Sequence, residues 1–380
     1  MSVSATPPDM GLLPEGLSDR LPPKAEASAR LVRRVLDSVT SHGYARVIPP
    51  MAEFEDTLLM RLQSAGAQDL LRATDPASQR MLALRPDITA QVSRIAATRL
   101  AKAARPLRLC YAGQVLKLRV DQLRPEREET QLGAELIGTD SDAAAVEIVG
   151  VAIAALAAAG VSGITIDFTL PDLVDCLAAG PMPLEPELIE TVRARLDAKD
   201  AGGLAALGPK AAAYLPLIEA AGPFHAAMER LEVIDAAAGG ALASRIAALR
   251  AIARPIGWDI TLTLDPTERH GFEYQSWFGF SIFADGFGGE LGRGGSYAIA
   301  HADGRSEPAI GFSLYPDPLI DAGFGAEMAD MLFLPLGHDA ERASELRAQG
   351  WRTVAALSDT DDGRALGCTH RLNGAEPARY

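Results

Sequence analysis

The chain has 380 residues, 48% of them apolar, which is ample for one large domain or two smaller ones with a full core. Its formal net charge of −14 argues against a nucleic-acid partner, because neutralising phosphates takes clustered Lys and Arg. The three cysteines, Cys110, Cys176 and Cys368, are far apart and form no CxxC pair, which excludes a disulfide framework and a closely spaced zinc site and fits a reducing compartment. The start has no basic segment followed by an apolar run, so no signal peptide is expected. The most apolar stretch, 146–161, is too short and too Ala-rich to span a bilayer. The expectation is a cytoplasmic protein with no membrane partner.

Residues 1–22 are rich in Pro and Gly and are expected to be partly disordered. Leu31, Val35 and Val39 recur every four residues and predict a helix over 23–41, stopped by Gly43. A short strand follows at 44–50, ended by proline, and another at 80–84. The turn 85–89 launches a helix over about 90–103. Strands at 107–117 and 129–137 enclose a polar stretch and read as a long hairpin. An Ala-rich helix covers 143–159, and a strand covers Ile164–Thr169. Residues 171–254 carry helical signal with Gly/Pro breaks and no strand pattern, so they are taken as a helical insertion. Strands return at 259–264, 271–284, 295–301 and 307–312. The last part, with a strand at 331–335, a helix at 339–349 and a strand at 353–357, is one small βαβ unit. Neighbouring hairpins imply an α+β fold: a mostly antiparallel sheet flanked by helices, packed chiefly on one face.

Four short segments could carry chemistry. Arg85-Pro-Asp87-Ile-Thr89 puts a carboxylate and a hydroxyl at a helix start, as a cap for free N–H groups or as acceptors for a ligand ammonium. In Gln131-Leu-Gly133-Ala-Glu135 the amide, the glycine and the carboxylate share one strand face, either solvated or under a polar ligand. Residues 286–297 hold six glycines. Hairpin turns explain them more readily than a phosphate cradle, since no GxxxxGK[ST] or GxGxxG context fits. Arg269-His-Gly-Phe-Glu-Tyr274 clusters polar groups without a nucleophile–base–acid set, and the six histidines show no metal spacing. No cofactor, metal or catalytic residue is expected.

Taken in order, these pieces resemble the class II aminoacyl-tRNA synthetases, and the histidyl-tRNA synthetases in particular. The resemblance rests on Gly16-Leu-Ser-Asp-Arg-Leu-Pro22, Gly43-Tyr44, Pro49-Pro50, Leu84-Arg-Pro-Asp-Ile-Thr-Ala90, Tyr111-Ala-Gly113 with Lys117, Gln131-Leu-Gly-Ala-Glu135, His270-Gly-Phe-Glu-Tyr274, Gly294-Gly-Ser-Tyr297 and Ala309-Ile-Gly-Phe-Ser313. It covers about residues 11–320. The resemblance implies a class II core over 1–324, including the insertion at 171–254, and a truncated C-terminal α/β unit at 325–380 in place of the anticodon-binding domain. It also implies that Asp87, Thr89 and Gln131 hold the α-amino group of histidine. Glu135 would face the imidazole, and Tyr297, Tyr274 and Lys117 would stand nearby.

The departures from that pattern concern ATP. Pro318 stands where the third class motif has a phosphate-gripping arginine; it carries no charge and is expected to break the helix there. Lys117 replaces the second motif's arginine, Arg119 its adenine-contacting glutamate, and His270 a further arginine, while Asp87 stands for a longer glutamate. A synthetase fold that keeps amino-acid contacts and loses ATP contacts resembles the regulatory subunits of ATP phosphoribosyltransferase, as do the phrases 268–275 and 367–372. That resemblance implies a subunit without catalysis of its own. It would form a homodimer within a hetero-octamer with the short-form catalytic subunit, activate that subunit, and take part in histidine feedback at the first step of L-histidine biosynthesis. The competing expectations are a synthetase-like enzyme activating an amino acid with ATP and a non-catalytic tRNA-binding module.

Overall fold

Leu31, Val35 and Val39 fall on one side of the helix Lys24–Ser41 and are all buried, each contributing about 1.5–3 kcal/mol of apolar burial. Gly43, at φ +85°, ends the helix as the sequence requires. The computed structural model describes residues 12–59, 70–118, 126–269, 275–301, 303–327 and 330–380. Arg119 and the segment 270–274, with His270 and Tyr274, lie outside the described residues. Two compact units divide the chain, 1–325 and 326–380.

The first unit is built on a nine-stranded sheet. Across it run Ala45–Arg46, Leu107–Leu116, Glu128–Ile137, Ser306–Leu314, Gly292–Ala300, Gly279–Ala284, Ile164–Thr169, Thr261–Leu264 and Gly222–Pro223. The first and second of these are parallel, as are Ile164–Thr169 and Thr261–Leu264; the other pairings are antiparallel. Leu132, Ala134 and Leu136 point to one face, where Lys24–Ser41, Asp142–Ala158 and the helices of 173–253 bury their apolar sides. Ser141 caps the Ala-rich helix by accepting from the Ala144 N–H. The opposite face carries Tyr111, Ile137, Tyr297 and Ala309 under one short helix, Thr89–Ala97.

Several elements differ from expectation for identifiable reasons. The helix from Thr89 stops at Ala97 rather than near 103, because the Arg105 guanidinium collects the carbonyls of Ala96, Leu100 and Ala103. Glu307 holds that guanidinium in place. Of the expected strand 271–284, the described residues 275–284 form a strand over Gly279–Ala284. Just before it, the N–H groups of Trp277 and Phe278 go to the Ser296 hydroxyl instead of a ladder partner. Inside the expected all-helical insertion, Gly222–Pro223 forms a two-residue edge strand against Thr261–Leu264. Pro318 does not break its helix. It sits in the first turn of Asp317–Asp321, where a missing N–H costs nothing.

A three-stranded sheet of Ala52–Phe54, Met81–Leu84 and Arg72–Thr74 escaped the sequence reading apart from its central strand. Its Glu53 carboxylate takes Arg94 bidentately at 2.9 and 2.6 Å and Gln91 at 2.9 Å, fastening this sheet to the helix that begins at Thr89. In the second unit, Met331–Leu334, Ala340–Ala348 and Arg352–Ala355 form the expected βαβ unit with parallel strands. Two further strands, His370–Asn373 and Glu376–Arg379, extend that sheet as a hairpin.

Candidate functional site

The site lies on the face of the nine-stranded sheet away from the main helical layer, and the register assembles it. Glu135, Gly311 and Gly295 are successive cross-strand partners, and two residues along each strand come Gly133, Ser313 and Arg293. By the period of two, all six residues share this face. The glycines make a floor with no Cβ atoms, and the polar groups occupy the freed space. A Cβ at Gly311 would stand 1.8 Å from a Glu135 oxygen, one at Gly133 2.3 Å from the Tyr111 hydroxyl, and one at Gly295 2.2 Å from the Gln275 side-chain oxygen.

A continuous hydrogen-bond network organises the groups. Glu135 is buried and accepts from Tyr297 at 2.8 Å and from Tyr111 at 3.2 Å. The Tyr111 hydroxyl also meets Thr89 at 2.9 Å and Ser313 at 3.0 Å. Gln131, fully buried, accepts from the Ile88 N–H at 2.8 Å and donates to Asp87 and Ser313, both at 2.9 Å. Asp87 fits the capping reading and also reaches the pocket. One oxygen caps the Ala90 N–H at 3.3 Å, and the carboxylate still lines the pocket.

Burial is the largest influence on Glu135 and pushes its carboxyl up to about 8, with Asp87 adding to the rise and the Tyr297 hydrogen bond opposing it. Near neutrality this side chain is therefore poised between neutral and charged. Burial beside Glu135 also holds the Tyr111 phenol well above its ordinary range.

Of the residues expected here, Asp87, Thr89, Glu135 and Tyr297 line one concavity of about 330 Å³ including its open mouth. Gln131 is not among its lining residues; it orients Asp87 and Ser313. Lys117 is not among them either: its ammonium pairs with Glu129 at 2.5 Å and sits 4.9 Å from the Tyr315 ring centre. Tyr274 is outside the described residues. The sequence reading missed Gln275, Arg293, Ser313 and Tyr315, which also line the pocket. Arg293 and Ser313 could have been found, since each lies two positions from a floor glycine on the same strand. Gln275 precedes its strand, and no period points to it.

Tyr315 also borders a second, larger groove at the place of the third-motif arginine. Pro318 lines it, together with six carboxylates: Asp19, Glu126, Glu128, Glu129, Asp317 and Asp321. Among the described residues its two lining cations are engaged, Arg20 with Asp317 at 3.0 Å and Lys24 with Asp321 at 2.6 Å. Among the described residues no cluster of His, Cys, Asp or Glu could hold a metal ion, and no helix is long and apolar enough to cross a membrane.

The glycine floor yields one prediction. Gly311→Ala puts a methyl group into Glu135 and within 2.7 Å of the Ala134 carbonyl oxygen, so backbone as well as side chain must shift. Overpacking of this kind costs about 1–3 kcal/mol. The variant should melt several degrees lower and lose any ligand response of the pocket, read by thermal denaturation with and without ligand.

Comparison with known proteins follows the same lines. A family model described as histidyl-tRNA synthetase matches residues 16–319. An ATP phosphoribosyltransferase regulatory subunit from Rhodospirillum centenum is 44% identical over 97% of this chain and 96% of that protein. One from Paramagnetospirillum magneticum is 43% identical over 95% and 96%. Among solved structures, an ATP phosphoribosyltransferase regulatory subunit/histidyl-tRNA synthetase from Bacillus halodurans superposes with a TM-score of 0.80 at 23% identity, covering 96% of this chain and 97% of that one. At that identity the likeness speaks for the fold, an α+β class II core.

Proposed function

Since the chain belongs to the ATP phosphoribosyltransferase regulatory subunits, a family on the histidyl-tRNA synthetase fold, we propose that it binds free histidine and activates a separate short catalytic subunit without catalysis of its own. In this reading it conveys histidine feedback to the first step of histidine biosynthesis. The observation that carries the reading is the contrast between the two adjoining pockets. The amino-acid side keeps a complete polar network around Asp87, Thr89 and Glu135. The ATP side has Pro318 for the arginine and six carboxylates around it.

Asp87 and Thr89 would hold the ligand ammonium, a charge-assisted contact of the stronger kind. Arg293 also lines the pocket, with its guanidinium held by Glu290. Glu135 would meet the imidazole at the bottom, with Tyr297 fixing its carboxylate. The two nucleotide-side residues, Lys117 and Pro318, offer one engaged ammonium and no charge. Phosphoryl chemistry needs fixed positive charge where negative charge develops, and this groove supplies the opposite sign.

The partner is tested by gel filtration. Mixed at micromolar concentration with the cognate short catalytic subunit, the chain should elute in a single complex larger than either component, with its own homodimer as the building block. Separate elution of the two proteins would exclude this partner.

A further inference from the structure

We propose that the open edge of the second unit's sheet, the strand Arg352–Ala355, pairs antiparallel with the same strand of a second copy of this chain. The surface is an unblocked strand edge, and its bonding groups, apolar residues and charges all match a copy of themselves.

Across the four-stranded sheet run Arg352–Ala355, Met331–Leu334, His370–Asn373 and Glu376–Arg379, so the first and the last are outer strands. An outer strand offers a row of unpaired N–H and C=O groups, and natural sheets blunt such edges with proline or charge. Pro377 lies inside Glu376–Arg379, and Pro223 inside the edge Gly222–Pro223 of the nine-stranded sheet. Pro49 and Pro50 follow the other edge, Ala45–Arg46. In the three-stranded sheet, Pro50 and Pro76 stand beside the outer strands Ala52–Phe54 and Arg72–Thr74. No proline occurs between 336 and 376. Among the described residues, Arg352–Ala355 is the sheet edge left without that stop.

The Ala356 N–H donates to the Leu334 carbonyl at 2.9 Å, so the even-numbered residues here face Met331–Leu334. By the alternation of a ladder, Thr353 and Ala355 turn their N–H and C=O groups to the open side. On either flank the Trp351 and Leu357 N–H groups are already taken, by the Leu346 carbonyl and the Asp361 carboxylate. Two outward residues at a spacing of two are self-complementary. When the strand meets its copy antiparallel, Thr353 and Ala355 stand opposite each other in both directions and exchange hydrogen bonds, with Val354 opposite Val354 at the centre. The same register sets Leu357 of each copy opposite Trp351 of the other. By the period of two these residues share one face of the sheet. Leu357 is 91% exposed, while Trp351 is half-buried against the unit's apolar core. Pairing gives that leucine an apolar neighbour.

Charge selects the antiparallel sense. Exposed Arg352 begins the strand, and exposed Arg347 joins it there by donating to the Thr353 hydroxyl at 2.8 Å. Asp359, Asp361 and Asp362 follow its end. Antiparallel pairing brings each basic start to the other copy's acidic end, whereas parallel pairing would set like charges side by side. A strand of four residues buries less than the roughly 1,000 Å² of a standing interface. The contact therefore adds to whatever assembly the first unit makes and strengthens with concentration.

The test uses full-length protein with one cysteine introduced at a time, and the wild type, with its own three cysteines, as control. Val354→Cys places two thiols across the centre of the pairing, where Cα atoms of a non-hydrogen-bonded pair are about 4.5 Å apart and within disulfide reach. Mild oxidation should give a covalent dimer on non-reducing gels. Thr353→Cys, whose counterpart is displaced by two residues along the second strand, should give little. Thr353→Pro removes an outward N–H and leaves the bonds to Met331–Leu334 in place. In sedimentation velocity the wild-type mass should rise towards double its dilute value as concentration grows, and the mass of Thr353→Pro should stay at the dilute value. No cross-link at 354, or equal cross-linking at 353 and 354, would overturn the proposal. So would a mass that Thr353→Pro leaves unchanged in the chain alone, and if that variant instead lost the complex with the short catalytic subunit, the edge would belong to that protein.

Discussion

Glu135→Gln should abolish the thermal response to histidine and, without ligand, make the protein more stable at alkaline pH. The first effect follows from removing the charge that meets the ring. A ligand at a hundredfold excess over its Kd stabilises the folded state by about 2.7 kcal/mol. For a chain of this size that is a rise of a few degrees in melting temperature, which the variant should lose. The second effect follows from the buried carboxyl. Its folded value is raised from 4.5 to about 8. The stability it contributes is thus complete below its ordinary range and is lost as the pH rises through about 8. Gln keeps the volume and never ionises. The advantage of the variant should be small at pH 5, grow through pH 7, and level off above pH 8 at an order of a few kcal/mol. Melting curves of both proteins across that range measure it. A variant less stable than wild type at pH 9, or one that keeps the full histidine shift, would show that Glu135 is ordinary structural packing.

The second large effect is an absence of chemistry. Purified protein with histidine, ATP and magnesium should exchange pyrophosphate into ATP at background rate, and Pro318→Arg should not restore exchange. Loss of one fixed donor at developing charge costs about 10²–10³ in rate. Here the deficit is wider than one residue, because among the described residues six carboxylates line the groove against two cations, and both cations are already paired. Each like-charge pair at about 4 Å costs about 1 kcal/mol even at the dielectric of water. Restored arginine would meet Asp317 and Asp321, which already hold Arg20 and Lys24. Histidine-dependent exchange above background in the wild-type protein would return the chain to the synthetases.

How much of this was legible in the sequence depended on the range over which each feature is determined. The long helices and the strands 107–116, 128–137 and 306–314 show in the residues because their periodicity runs over many positions. The alternation at Gln131, Gly133 and Glu135 put these three on one sheet face, and Leu132, Ala134 and Leu136 pack the opposite core, as the structure has them. The residues 275–278 misled because Ser296, far away in sequence, supplies the acceptor that breaks the ladder. The C-terminal hairpin carried a readable sign, a two-residue loop Gly374-Ala375 with Gly374 at φ +60°, but its strands are four residues each and lack clear alternation. Gln275 and the acidic groove could not be read at all. The groove joins residues around 20, 128 and 318, and proximity of that kind comes only from the fold.

The central claim is that this chain acts through a partner, and the rate of phosphoribosyl transfer to ATP by the cognate short catalytic subunit tests it most directly. Adding the chain at equimolar, micromolar concentration should raise that rate severalfold, and histidine should then lower it. With Glu135→Gln the activation should persist while the histidine effect disappears. A catalytic subunit whose rate is the same with and without this chain, at concentrations where both are folded, would contradict the regulatory account.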